Sequence, residues 1–183
     1  TSNAAQTVGS LKLEVHDIAR FVPTSLGGTT AGTFALYFDG SDVTLSTAAE
    51  RIDALALKPD GTLLISTAGR ATVKNGSTSI VAQDEDLLAF HPTQLGATTS
   101  GTWNLATDGF DGSLLTGMAA ENVNSAWYDG ATGNLYLTVL NAFNIGSISG
   151  SQRTVLQVTP ARAVSAYWSA SAYGGIDGLA IAP

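Results

Sequence analysis

DIARFVPTSLGGTTAGTF (residues 17–34) and DLLAFHPTQLGATTSGTW (residues 86–103) are one phrase written twice, 69 residues apart from Asp17 to Asp86. Asp17 matches Asp86, Phe21 matches Phe90, Pro23 matches Pro92, Leu26 matches Leu95 and Phe34 matches Trp103. Self-similarity at a fixed period marks a repeat architecture, in which each unit buries its apolar face on its neighbours.

Working outward from the second copy, IDALALKP (52–59) is a short apolar run that ends in the turn signal Pro-Asp-Gly, and TLLIST (62–67) follows at once, so the two read as a hairpin. A polar stretch, 68–83, reads as a loop with room for an extra hairpin. DLLAFHP (86–92) and TWNLATDG (102–109) complete four strands. The same order recurs in VNSAWYDG (123–130), NLYLTVL (134–140), TVLQVTP (154–160) and AVSAYWSA (163–170). Ile52 pairs with Val123, Gly61 with Gly133 and Pro92 with Pro160, and all length changes fall in loops.

At the N-terminus LKLEV (11–15), DIARFVP (17–23) and TFALYFDG (33–40) read as second, third and fourth strands, and IDGLAIAP (176–183) copies IDALALKP (52–59). The expected fold is therefore all-β, and the resemblance given below makes it β-propeller-like. It has about twelve strands in three four-stranded antiparallel sheets, and the C-terminal strand completes the N-terminal sheet, which removes frayed edges. Residues 1–10, small and polar, are expected to be a disordered segment or tag remnant. Residues 11–183 are expected to form one repeat domain, with units 11–51 plus 176–183, 52–122 and 123–175. No stretch sustains a 3.6-residue apolar period, so little helix is expected.

Composition narrows the chemistry. The chain has 183 residues, 44% hydrophobic and only 13% charged, with a net charge of −7. Scattered Lys and Arg in an acidic chain argue against nucleic acid and against anionic membranes as partners. The absence of cysteine excludes disulfides, thiolate nucleophiles and Cys-based zinc sites. There is no G-x-S-x-G, H-E-x-x-H or P-loop pattern, so a general base would have to be a carboxylate.

An apolar strand followed by PDGTLLIST (59–67) or DGATGNLYLT (129–138) resembles the first hairpin of a propeller blade, most similar to the NHL and SMP-30/gluconolactonase-like type. The phrases FDGSDV, IDALAL and DEDLLAF also resemble a tandem repeat of secreted bacterial proteins, which implies an extracellular or periplasmic location. Propellers have four to eight blades, and three units leave three solutions: a six-bladed ring from a homodimer, a piece of a longer array, or three sheets closing on themselves.

Acidic positions recur. Asp39-Gly40-Ser41-Asp42 is aligned with Asp108-Gly109-Phe110-Asp111, as turn chemistry or as a Ca²⁺ loop. Asp53, Asn124 and Asp177 each stand second in a first strand; the SMP-30 resemblance implies a divalent-metal site there, with Ca²⁺ the cation considered and Glu50 and Glu121 at its rim. The ordinary role for such side chains is to tie loops between units. Asp84-Glu85-Asp86 reads as a solvated loop or as half of a cation site, and Asp86, matching Asp17, as structural. His16 and His91 have no nucleophile pattern nearby, and Asn75-Gly76-Ser77 reads as a turn that also fits a glycosylation sequon. Most aromatics sit in strands as core; Phe110, Tyr128, Tyr173 and Phe143 lie near loops, and Phe110, Tyr128 and Tyr173 are the ligand-stacking candidates.

The expected function is a non-enzymatic binding or structural repeat module, its ligand surface formed by loops 39–52, 108–123 and 170–176. The rivals are a metal-dependent hydrolase of the lactonase type, with Asp53, Asn124 and Asp177 on one cation, and a carbohydrate-binding propeller lectin. A second copy of the chain, a protein or a glycan are the partners considered.

Overall fold

The computed structural model describes residues 4–171 and 174–181. Its regular structure is almost wholly antiparallel sheet, with four single-turn 3₁₀ helices. Two hairpins come first, β1 (Gln6–Val8) with β2 (Leu11–Leu13) and β3 (Ile18–Ser25) with β4 (Ala31–Phe38). Next come β5 (Ile52–Leu57), β6 (Leu63–Thr67), the hairpin of β7 (Ala71–Asn75) and β8 (Thr78–Ala82), then β9 (Leu88–Gln94) and β10 (Ser100–Asn104). The order is repeated by β11 (Val123–Tyr128), β12 (Leu135–Val139), the hairpin of β13 (Phe143–Ile145) and β14 (Ile148–Gly150), then β15 (Thr154–Val158) and β16 (Val164–Ser169).

Among the described residues there are two four-stranded sheets, β5-β6-β9-β10 and β11-β12-β15-β16, and four two-stranded ones. The expectation of three four-stranded sheets is corrected, and no closed ring of sheets is formed. LKLEV is not a second strand: Leu11–Leu13 pairs with Gln6–Val8, inside the segment expected to be disordered. This hairpin stands just before Asp17 as β7–β8 stands before Asp86, so it is the inserted hairpin of the first unit. The extra hairpin expected in 68–83 is present as β7–β8. Residues 176–181 do not complete the N-terminal sheet either. They form no strand, and the third unit holds them: the Ile176 amide donates to the Gln152 carbonyl at 3.0 Å. The Ile176 carbonyl in turn accepts from Asn124 Nδ2 at 2.8 Å and Thr138 Oγ1 at 2.9 Å. These polar groups on the chain's own last sheet capture the segment.

The units stack face to face. β6 and β12 are buried along their whole length because both are flanked by strands and covered on each face. Leu63, Ile65, Leu88 and Phe90 face the first unit, packing with Phe38, Val43 and Leu45. The alternate positions Ala54, Ala56, Leu64 and Ala89 face the third unit and meet Leu135, Leu137, Leu156 and Val158. Alanines on one side let the branched side chains of the other approach closely, and β5 lies beside β11. One glycine belongs to this pattern. A Cβ on Gly101 would lie 2.3 Å from the His91 carbonyl and 2.6 Å from the Phe90 ring, and a Cβ on Gly32 would meet Val22 and Phe21 at the same distances. The repeated Phe-x-Pro…Gly-Thr phrase thus records a ring folded over a bare backbone across two paired strands.

Candidate functional site

The recurring carboxylates are turn anchors. Asp86 Oδ2 accepts from the Gln83 amide at 2.8 Å and Oδ1 from the Gly112 amide at 2.8 Å. Asp17 does the same with Glu14 at 2.7 Å and Gly40 at 3.1 Å. Each therefore locks the exit of an inserted hairpin to the turn that leads to the next unit. This corrects the alignment of Asp39-Gly40-Ser41-Asp42 with Asp108-Gly109-Phe110-Asp111. Asp39 Oδ1 accepts from the Ser41 amide and hydroxyl, at 3.0 and 2.6 Å, and Asp111 Oδ1 from those of Ser113, at 3.1 and 2.6 Å. Phe38-Asp39-Gly40-Ser41 thus corresponds to Phe110-Asp111-Gly112-Ser113, not to the stretch beginning at Asp108. Asp42 Oδ2 caps the Thr99 amide at 2.7 Å.

The three expected metal residues stand at equivalent places, Asp53 on β5, Asn124 on β11 and Asp177 in the segment that follows the Ile176–Gln152 bond. Asn124 binds the carbonyl of Ile176, the neighbour of Asp177, which is exposed. Asp53 Oδ1 is buried without a hydrogen-bond partner, and its charged neighbours are Arg51 and Asp84. Burial drives the Asp53 carboxyl up to about 7, against the pull of Arg51. Among the described residues no group of three or more His, Asp or Glu side chains stands together as a metal would require. Glu50, expected at the rim, is buried and accepts from the amides of Ser46, Thr47 and Thr72. Burial opposes its ionisation, but these donors outweigh it and hold its carboxyl below the ordinary range. Burial raises Glu121 and, in the acidic run, Glu85 and Asp86.

Phe110 and Tyr128 come together. Both line a cleft of about 260 Å³ at the junction of the second and third units, with Lys58, Asp108, Pro160 and Arg162. Tyr173 lies outside the described residues. Phe143, the other loop aromatic, is buried in the core, and Phe110 belongs to the same buried cluster with 7% of its surface exposed. Each ring in the cleft carries a cation. Lys58 Nζ lies 5.5 Å from the Tyr128 ring centroid and donates to the Asp108 carbonyl at 2.7 Å. The Arg162 guanidinium lies 6.0 Å from the Phe110 centroid, and its Nη1 donates to the Asp111 carbonyl at 2.8 Å. These single bonds leave further N–H donors on both groups. Arg162 itself has φ +62, a left-handed backbone rare outside glycine, held by its amide bond to the Thr159 carbonyl.

Sequence reasoning missed Lys58 and Arg162, since lone cations at strand ends carry no motif. It also missed the setting of His91, whose Nδ1 lies 3.1 Å from Thr62 Oγ1 and whose Nε2 lies 3.4 Å from Asp108 Oδ2. The Thr62 hydroxyl is buried and engaged with the turn carboxylate Asp60, so it does not face a substrate. Asn75, of the glycosylation sequon, exchanges two hydrogen bonds with the Trp103 backbone at 2.7 and 2.8 Å, and Gly76 turns the hairpin at φ +59. No protein-family model, curated protein or solved structure matches this chain.

Proposed function

We propose that the chain is a non-enzymatic binding module of the repeat type, and that its ligand enters the cleft between the second and third units. One observation carries this reading: two aromatic rings and two cations converge on a single cleft in a chain whose net charge is −7. Such a set suits a ligand with a carboxylate or sulfate and a ring, of which an acidic saccharide is the leading kind. The guanidinium and ammonium would take the anion, and the ring edges and Pro160 would cover the apolar face. The antiparallel order β5-β6-β9-β10 is that of a four-stranded propeller blade, and the proposed kinship rests on it.

The test is calorimetric titration with uronic-acid and sulfated oligosaccharides beside their neutral counterparts. Binding of an acidic sugar, weakened about tenfold or more by Arg162→Gln or Lys58→Gln and by salt, is the expected result; a lost charge-assisted bond is worth that much. Equal binding of neutral sugars, or none of either class, would overturn the reading.

A further inference from the structure

The end faces of the stack use the same positions that are buried within it. Phe21 and Phe34 pair across β3–β4 with ring centroids 5.1 Å apart, and they are 38% and 48% exposed. Their counterparts Phe90 and Trp103 pair at 4.7 Å and are 0% and 2% exposed, because Phe38 of the preceding unit packs on both. At β3–β4 that place is open, and no strand pairs with the outer edge of β3 among the described residues.

The opposite end is the mirror case. Trp127 pairs with Tyr136 where Ala56 pairs with Leu64 in the second unit. Ala56 and Leu64 are buried under the third unit, whereas the Trp127, Tyr136 and Tyr167 rings of the third unit form a cluster on its face away from the second, at 5.5 and 4.7 Å. Tyr167 and Trp168 on this face are 51% and 53% exposed. The C-terminal residues extend the repeat over the same face. The Ile176 amide reaches Gln152 at 3.0 Å as Val123 reaches Asp84 at 2.9 Å and Ile52 reaches Val15 at 3.2 Å. Ile176 therefore begins where the first strand of another unit begins, and IDGLA (176–180) repeats IDALA (52–56).

We infer that two copies of this chain associate end to end, the aromatic face of the third unit of one copy packing on the Phe21–Phe34 face of the other. The contact continues, between copies, the interface that the units share within one copy. Side-chain sizes fit this: the main sheet of the first unit has two strands where that of the second has four, and the third unit sets Trp and Tyr where the second sets Ala and Leu. A contact between two different faces is heterologous, so the pair keeps one free face of each kind for closure or for growth. Exposed aromatic area at both ends is also what an unfilled interface leaves behind.

Sedimentation velocity over a micromolar concentration series tests it, with Phe34→Glu and Trp168→Glu checked for native circular dichroism and melting. Both positions are about half exposed, so a charge there spares the fold. The expected result is a wild-type mass that rises above one chain, each variant alone at the mass of one chain, and an equimolar mixture that restores a two-chain species, since one intact contact remains in it. A wild type that stays at one chain, association that survives Phe34→Glu, or a mixture that stays at one chain would each overturn it.

Discussion

Asp53 is the residue at which the repeat runs an experiment on itself. Its counterpart Asn124 donates a hydrogen bond from Nδ2, while Asp53 offers a carboxyl whose Oδ1 has no partner. Burial raises the Asp53 pKa from 3.8 to about 7. The unfolded chain therefore releases this proton near pH 4 and the native state near pH 7. Stability from Asp53 is full below about pH 4 and is lost as pH climbs through the interval to 7, because there the unfolded state holds fewer protons. Asp53→Asn removes that slope. Urea midpoints measured from pH 4 to 8 should show the variant ahead above pH 7, by roughly 1–3 kcal/mol, and little different near pH 4. The recurrence of this position was legible in the sequence. Its environment was not, because burial depends on how β5 meets β11, and no local pattern records that.

At the scale of elements, the anchor of each of the first two units is an aspartate that spans two turns. Asp86→Ala strips acceptors from the Gln83 and Gly112 amides, and Gly112 is buried. A loss of about 2–4 kcal/mol in unfolding free energy follows, from two backbone donors left without partners. Asp39→Ala, whose carboxylate serves an exposed turn, should cost less than half of that in the same denaturation assay. The Asp17/Asp86 match was readable because it sits at a fixed distance from the Phe-x-Pro strand. The Phe-Asp-Gly-Ser match was not, because the stretch from Trp103 to Phe110 is three residues longer than that from Phe34 to Phe38, which brings the decoy Asp108-Gly109 into the register of Asp39-Gly40. Asn104 accommodates the insertion by accepting from the amides of Thr107 and Asp108.

For the whole molecule, alternation and turn residues sufficed to read an all-β chain and the strands of its two four-stranded sheets. They could not say where the ends go. IDGLAIAP resembles β5, but resemblance identifies a kind of strand and not the neighbour it joins. That choice rests on Asn124, Thr138 and Gln152, three polar groups scattered over the third unit. The cleft was half visible for the same reason. Its rings stand near recognisable turns, whereas Lys58 and Arg162 meet them only after two units have packed.

The central claim is that the units form an open stack whose C-terminal segment lies on its own third unit. The cysteine-free chain takes spin labels cleanly at engineered pairs of sites. Double electron–electron resonance between Gly178→Cys and either Ser151→Cys or Ser25→Cys, in dilute samples, measures the two candidate separations. The stack predicts a short distance from 178 to 151 and a long one from 178 to 25. A short distance from 178 to 25 would put the C-terminal strand in the N-terminal sheet and contradict it.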